Sequence, residues 1–380
     1  MGMTVPLEPN SSADSLGPRV LPVCAHFEEC GGCQFQNLSI ADYQGWKEKS
    51  VREIIEKGGV CPSLWHKPVF VPEKTRRRVT FSAIKQGGIV TTGFHRHRSH
   101  DIVSIAHCHL ILPSLQTVLE KMPVAFAPVL HEKVEVDVFL QDVDGKIDCV
   151  ITGLPSTGAR QTENLAKLAE GLGLARISLV TREGAQPETY IDIHPVQKMS
   201  GKLSVLIPPA AFLQPSGEGE AALVAAVNKG LSSLKGSKNK IADLFSGCGT
   251  FAGPLLERGF VLAVEEDGKM VEVLQKAARA NGRLTVQQRD LFKEPVGPRE
   301  LTGYHAVLLD PPRAGAREQA LKLAKSAVPI VIYVSCNPQS FARDAKILTE
   351  GGYHFESLQI VDQFIWSSHV EIVGVFCRKT

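Results

Sequence analysis

The sequence predicts an α/β protein whose second half is a doubly wound parallel sheet, preceded by a mixed α+β unit. From Ile241 onward, short apolar runs (IADLF, VLAVEE, LTVQQ, HAVLLD, PIVIYVS) alternate with helical stretches, as strands buried on both faces alternate with crossover helices. The first run enters a Gly-x-Gly turn, Gly247-Cys248-Gly249, as the first strand of such a sheet does where it meets a ligand. Upstream, β-rich runs are separated by Gly and Asp-Gly turns, which reads as α+β. Hydrophobic content of 43% and charged content of 22% over 380 residues exclude wholesale disorder.

In chain order, residues 1–23 are rich in Pro, Ser, Gly and Asn and read as a loose tail. A first domain, residues 24–204, is expected to hold an amphipathic helix at Ser39–Lys57. Its strands are expected at Val79–Ile84, Ile89–Phe94, Val134–Leu140, Lys146–Ile151, Arg176–Thr181 and Thr189–Ile193. A second domain, residues 205–380, carries the alternating runs, with helices expected at Gly249–Arg258, Lys269–Asn281, Ala316–Ser326 and Gln339–Glu350. Two final strands, Phe355–Val361 and Val370–Cys377, have no helix between them and predict an antiparallel hairpin at the sheet edge.

Net charge is +2, from 42 basic and 40 acidic residues, so the whole chain is not a polycation. No apolar run approaches the ~18 residues that span a bilayer. The N-terminus lacks a basic region followed by an apolar core, and Pro6 stands where a myristoylation site wants Ser or Thr. The expectation is a cytoplasmic protein with no membrane partner. Nine cysteines, an odd count without an export signal, argue against a disulfide framework and towards metal binding or chemistry.

The Gly-rich turn reads either as structural glycines or as a close backbone approach to a cofactor with a helix N-terminus behind it. Glu265 ends the second strand, 22 residues after Asp243, where an acid takes the ribose hydroxyls of an adenosine cofactor. The combined string DLFSGCGTF looks like motif I of class I methyltransferases, which bind S-adenosylmethionine. HAVLLD then delivers Asp310-Pro311-Pro312-Arg313 at a strand's carboxyl end, with Arg313 where amine methyltransferases often carry an aromatic residue. One strand later comes Ser335-Cys336-Asn337-Pro338. A cysteine between strand end and helix start is expected to sit near N–H dipoles that favour thiolate. A buried structural cysteine is the alternative. His369-Val370-Glu371 opens the last strand, and Glu371, flanked by apolar residues, is the candidate base.

DPPRAG, SCNPQSFARD and HVE, in this order behind DLFSGCGTF, resemble the RNA 5-methyluridine (uracil-C5) methyltransferase family from Cys24 to the end of the chain. Phe212-Leu213-Gln214 is similar to the family's Phe-x-Gln cofactor contact. The resemblance implies a class I methyltransferase domain, with Cys336 as nucleophile and Glu371 as base. It also implies that Gln214, Phe245, Glu265 and Asp310 hold S-adenosylmethionine. Two local departures stand out: Pro215-Ser216 in place of Val-Asn, and Phe364-Ile365-Trp366-Ser367-Ser368 in place of a Phe-Pro-x-Thr stretch.

Cys24, Cys30, Cys33 and the distant Cys108 supply four thiolates, suited on ligand type to a [4Fe–4S] cluster or to zinc. The Cys-Gly-Gly-Cys spacing resembles the family's iron–sulfur members, which implies an iron–sulfur, RNA-binding first domain. Cys61, Cys149, Cys248 and Cys377 read as buried small apolar residues. Between His66 and Leu110 eight Lys/Arg (Lys67, Lys74, Arg76, Arg77, Arg78, Lys85, Arg96, Arg98) face two acids. That excess predicts a basic surface for phosphate backbone with the cluster beneath it. The stretch before Cys24 is too short for the extra β-barrel RNA-binding domain of some relatives, and ribosomal RNA is favoured over tRNA because the tRNA-specific bacterial branch generally lacks these cysteines. No protein partner is inferred. The rival readings are a cytosine-C5 methyltransferase, and a non-catalytic RNA-binding or redox-sensing protein.

Overall fold

Apolar alternation builds two sheets, seen in a computed structural model that describes residues 17–378 apart from 97, 98, 156, 157 and 183. The expected tail therefore lies largely outside the described residues, as do His97 and Arg98 of the basic segment.

The chain opens with α1 (Ile40–Lys57), capped by Ser39, whose side chain accepts from the Asp42 N–H. Two short strands follow, β1 (Leu64–Trp65) and β2 (Val69–Phe70). A seven-stranded sheet is then laid down by β3 (Arg78–Gln86), β4 (Ile89–His95), β5 (Ile102–Ser104), β6 (Glu135–Val143), β7 (Lys146–Thr152), β8 (Leu174–Val180) and β9 (Glu188–Asp192), in the order β5-β4-β3-β6-β7-β8-β9. Its interleaved helices α2 (Pro113–Phe126) and α3 (Ala159–Leu172) pack together in its core, bringing Leu115, Leu119, Leu165 and Leu168 against Phe81, Val138 and Ile151. A hairpin of β10 (Gln197–Ser200) and β11 (Leu203–Leu206) leads to α4 (Gly217–Gly230).

The second sheet comprises β12 (Asn239–Leu244), β13 (Gly259–Glu265), β14 (Leu284–Gln288), β15 (Ala306–Leu309), β16 (Ile330–Ser335), β17 (Tyr353–Asp362) and β18 (Glu371–Arg378). The helices among these strands are α5 (Ala252–Leu255), α6 (Gly268–Ala278), α7 (Arg317–Ala324) and α8 (Pro338–Glu350). Strand order is β1-β17-β18-β16-β15-β12-β13-β14, with β2 also on β17. Alternate β16 residues serve opposite faces: Val331 and Tyr333 join one core, Ile332 and Val334 the other.

Three expectations are corrected here. The closing strands are an antiparallel pair but not an edge hairpin: β18 inserts between β16 and β17, and β1 and β2 cover β17 in parallel register. The helix expected at Gly249–Arg258 is the single turn α5, because the turn before it bends through left-handed Gly249 (φ 82°). Cys61 is exposed and Cys377 only half-buried; Cys149 and Cys248 are buried. In addition, α1 packs against α8, with Val51, Ile55 and Val60 in the second sheet's core, although the sequence division assigns them to the first domain. Among the described residues no helix is long and apolar enough to cross a membrane.

Candidate active site

Residues at the carboxyl ends of β12, β15 and β16 come together where open α/β sheets receive ligands in a crevice. β16 pairs antiparallel with β18, and Ser335 lies opposite Ile372. One step further along that register puts Cys336 opposite Glu371. Glu371 is 4% exposed, and burial beside Asp310 pushes its carboxyl up to about 8. The Cys336 thiol is pushed up to about 12 by burial, with the Glu371 and Asp310 charges adding and Arg313 opposing. This reverses the sequence expectation of a dipole-stabilised thiolate: desolvation and two neighbouring carboxyls outweigh the backbone N–H contribution.

Asp310 follows β15, its N–H donating to Leu244 O at 3.2 Å, and burial raises its carboxyl to about 7. The loop it opens is stitched to the start of α8. Asn337 Nδ2 and Ser340 Oγ both donate to Arg313 O, at 3.0 and 3.1 Å, and Arg343 Nη2 donates to Ala314 O at 3.0 Å. Fully buried Asp344 accepts from the Ala316 N–H and from Tyr333 Oη, both at 2.7 Å. Arg313 Nη2 reaches His369 Nδ1 at 2.5 Å, and burial together with that guanidinium lowers the imidazole to about 4, which keeps it neutral.

The Gly-rich turn forms the adjoining half of the crevice. Phe245 holds a left-handed φ of 65°, its ring tilted against that of Phe292 at a centroid distance of 5.5 Å. Glu265 accepts from the N–H groups of Gly247, Glu266 and Asp267 at 2.8 to 3.0 Å, so its carboxylate faces the turn. Asp243 lies fully buried nearby, with no side-chain partner on its carboxyl and only the Ala252 N–H close to it, and its pKa is raised well above the usual range by burial and by Asp310 and Glu265. The Glu265 carboxylate facing the Gly-rich turn fits a hydroxyl-bearing ligand group. From β10, Ser200 Oγ donates to Gly249 O and Thr250 O, at 3.0 and 2.9 Å. The approach is so close that a Cβ on Gly253 would stand 1.9 Å from Ser200 O.

Gln214 is buried, and its Oε1 accepts from Gln363 Nε2 at 2.7 Å. Gln363 also hydrogen-bonds Glu371, which links Gln214 to Glu371 through one side chain. Arg77 Nε donates to Gln214 O at 2.7 Å and Arg77 Nη2 to Glu220 at 2.5 Å. Arg77 is therefore interior and does not belong to the expected basic surface; Arg96 is likewise paired, with Glu29 at 2.9 Å. Arg78 stacks 4.2 Å over the half-exposed ring of Phe212 and is an electrostatic neighbour of Glu371. The departure Pro215-Ser216 has a local cause: Ser216 Oγ caps α4 by accepting from the Gly219 N–H at 3.0 Å.

Cys24, Cys30, Cys33 and Cys108 rim one cavity of about 60 Å³ together with Arg76, His107 and His109. Among the described residues no group of three or more His, Cys, Asp or Glu side chains is set to hold a metal ion. Gln36 Nε2 donates to Cys33 Sγ at 3.2 Å, and the Gly32 N–H donates to Cys30 Sγ at 3.4 Å.

Residues 299–380, from the approach to β15 through the Cys336 and Glu371 loops, match a family model described as tRNA (Uracil-5-)-methyltransferase. Over 94% of this chain and 84% of its own length, a Brucella suis protein described as an uncharacterized RNA methyltransferase is 36% identical. The 23S rRNA (uracil(1939)-C(5))-methyltransferase of Aeromonas salmonicida is 32% identical over 94% of this chain and 82% of its length. The chain belongs to the RNA uracil-5-methyltransferase family. A crystal structure of the Pyrococcus abyssi tRNA (uracil-54, C5)-methyltransferase in complex with S-adenosyl-L-homocysteine shares this uracil-5-methyltransferase fold, with a TM-score of 0.69 and 21% identity over 94% of this chain and 85% of that one.

Within that family's motifs, the sequence reading passed over Asp344, Arg343 and Gln363. Asp344 and Arg343 close the SCNPQSFARD string, and a buried acid in a helix was the available signal. Gln363 carried none, because its partners lie on Gln214 and Glu371.

Proposed function

We propose that this family member methylates uracil C5 in 23S rRNA, with Cys336 as nucleophile and Glu371 as base. The observation that carries this reading is the closeness of Glu371 and Asp310 to Cys336, which directly follows the paired end of β16 and β18. Uracil C5 is too weak a nucleophile to take a methyl group unaided. S-adenosylmethionine, when bound, supplies an electrophilic methyl on a sulfonium. Cys336 gives its proton to solvent water and its sulfur adds to C6, giving a ring enolate whose C5 takes that methyl group as the methyl's bond to the sulfonium sulfur breaks. Glu371, in its ionised form, then accepts the C5 proton, and the S–C6 bond breaks to restore the ring and free the thiolate. Arg313 is the cation beside the thiol that eases its ionisation. On this reading Gln214, Phe245, Glu265 and Asp310 hold the cofactor, and the Glu265 carboxylate facing the Gly-rich turn supports it.

The same reading places a [4Fe–4S] cluster on Cys24, Cys30, Cys33 and Cys108. Its support is the shared cavity, the N–H donors on two sulfurs, and the thiols' own electrostatics. Cys30, Cys33 and Cys108 are all raised by burial and by neighbouring thiols, a penalty that a cationic core would offset. The cluster would cross-link residues 24–33 to residue 108 and take no part in methyl transfer. The proposed division is an RNA-binding domain (24–204) and a methyltransferase domain (205–380), with α1, β1 and β2 of the first packed on the second, acting in the cytoplasm. Ribosomal RNA is preferred to tRNA on the 32% identity to the Aeromonas salmonicida enzyme.

The test is trapping. With RNA carrying 5-fluorouridine, the C5 fluorine cannot leave as a proton, so the normal protein is expected to stay covalently attached. Cys336→Ala is expected to form no adduct and transfer no methyl. Glu371→Gln is expected to transfer methyl to unmodified RNA and then hold the methylated adduct. Full methylation by Cys336→Ala would sink the mechanism.

A further inference from the structure

The segment that carries Glu371 into the crevice, residues 363–370, is the one that departs from the family's Phe-Pro-x-Thr pattern. It has almost no regular structure of its own. Its shape is imposed from outside, from two directions.

From below it is held by α1. Lys47 Nζ donates to Asp362 Oδ1 at 2.6 Å, and Tyr43 Oη donates to Asp362 Oδ2 at 2.7 Å, all three side chains being fully buried or within 1% of it. Tyr43 Oη also reaches Phe364 O and Ser367 O, each at 3.4 Å.

From the side it is held by the residues that directly follow Cys33. The N–H groups of Gln34 and Phe35 both donate to Trp366 O, at 2.7 and 3.2 Å. In return the Ser368 N–H donates to Gln34 Oε1 at 2.9 Å. Trp366 adopts a left-handed φ of 63°, a conformation a bulky side chain rarely takes without such external support. Its ring packs with Phe35, Tyr43 and Leu110 in a small core that Cys33 and Cys108 adjoin, and its Nε1 donates to Glu73 at 2.8 Å.

We infer that the cysteine-bearing loop sets the position of Glu371, with Gln34 and Trp366 as positioning residues that act through the 366–368 backbone. The inference rests on the reading of Glu371 as the base. Its physical content is that Gln34 pins the backbone three residues before Glu371, so a change at the loop after Cys33 is felt first in the step that removes the C5 proton. Cofactor binding, methyl transfer and nucleophilic addition draw on β12, β13, β15 and β16, which this loop does not touch by hydrogen bond.

The experiment uses the purified full chain, unmodified 23S rRNA transcript and S-adenosylmethionine labelled in the methyl group. Turnover, cofactor affinity and label bound to denatured protein are measured together. Gln34 is an exposed side chain, so Gln34→Ala is expected to fold. It is expected to lower kcat by roughly fivefold, the effect of one hydrogen bond lost from the transition state. Affinity for S-adenosylmethionine is expected to stay within about twofold, and labelled adduct to accumulate as in Glu371→Gln. Gln34→Glu, which keeps the acceptor for the Ser368 N–H, is expected to recover most of the turnover and to clear the adduct. Trp366→Phe, which loses the bond to Glu73, is expected to act in the same direction as Gln34→Ala. Normal turnover in Gln34→Ala, or slowing without adduct, overturns the inference while Glu371→Gln still accumulates adduct. If Glu371→Gln accumulates none, the base assignment itself fails and the inference falls with it.

Discussion

Burial first, and then the Glu371 and Asp310 carboxyls, make the charge of Cys336 costly, while Glu371 is itself buried beside Asp310. Burial beside Asp310 holds the Glu371 carboxyl at about 8, against an ordinary value of 4.5. The folded protein therefore retains a proton between these pH values that the unfolded chain has released. Stability contributed by the neutral carboxyl is fully present below 4.5 and is lost as pH rises through about 8. Glu371→Gln has no such proton, so it is expected to lose less stability between about pH 5 and about pH 9 than the unaltered protein does. Urea unfolding of both proteins at the two pH values reads the difference directly. Identical pH slopes would mean that Glu371 is ionised in the fold across that range.

At the scale of elements, the crevice depends on α8 holding the loop after β15. Asp344 does most of this: one carboxylate takes the Ala316 N–H, Tyr333 Oη and, at 2.7 Å, Arg343 Nε. Asp344→Ala leaves the buried Tyr333 hydroxyl without its acceptor and the Ala316 N–H with Tyr333 Oη alone, at 2.9 Å, and is expected to cost about 3 kcal/mol. Unfolding by denaturant measures it; a loss below about 1 kcal/mol would show that water replaces the carboxylate. The elements that position this site were legible where a strand is buried on both faces, since continuous apolar runs such as PIVIYVS leave few other readings. The motif residues at those strands' ends were legible for the same reason, and the fold gathers Cys336, Glu371 and Asp310 into one neighbourhood. What escaped depends on distant partners. The cover that β1 and β2 give to β17, the capping role of Ser216 and the links made by Asp344 and Gln363 all arise from segments far apart in the chain. The dipole contribution at Cys336 is outweighed first by burial of the thiol and then by the Glu371 and Asp310 carboxyls.

Across the whole molecule, the cavity rimmed by the four cysteines stands where three parts meet. The loop from Cys24 to Cys33 leans on the 366–368 segment, and Cys108 sits just before α2 of the seven-stranded sheet. Arg76 lies between them, bridging to Ile111 on one side and Ser216 on the other. A metal group there would close the long loop between residues 33 and 108. Such a cross-link stabilises the fold chiefly by restricting the unfolded chain, and its binding energy becomes folding energy. Cys30→Ser is therefore expected to lose bound iron, lower the Tm and weaken binding of 23S rRNA transcript. The crevice built by β12, β13 and β15 receives no cysteine of this set, so S-adenosylmethionine affinity is expected to stay within about twofold of normal. Iron analysis, thermal unfolding and cofactor titration on anaerobically purified protein separate these outcomes. Colourless protein carrying one tightly bound zinc would overturn the iron assignment and leave the cross-link standing. Loss of cofactor binding with RNA binding intact would overturn the division of labour between the two sheets, because it would place the cysteines' influence in the crevice itself.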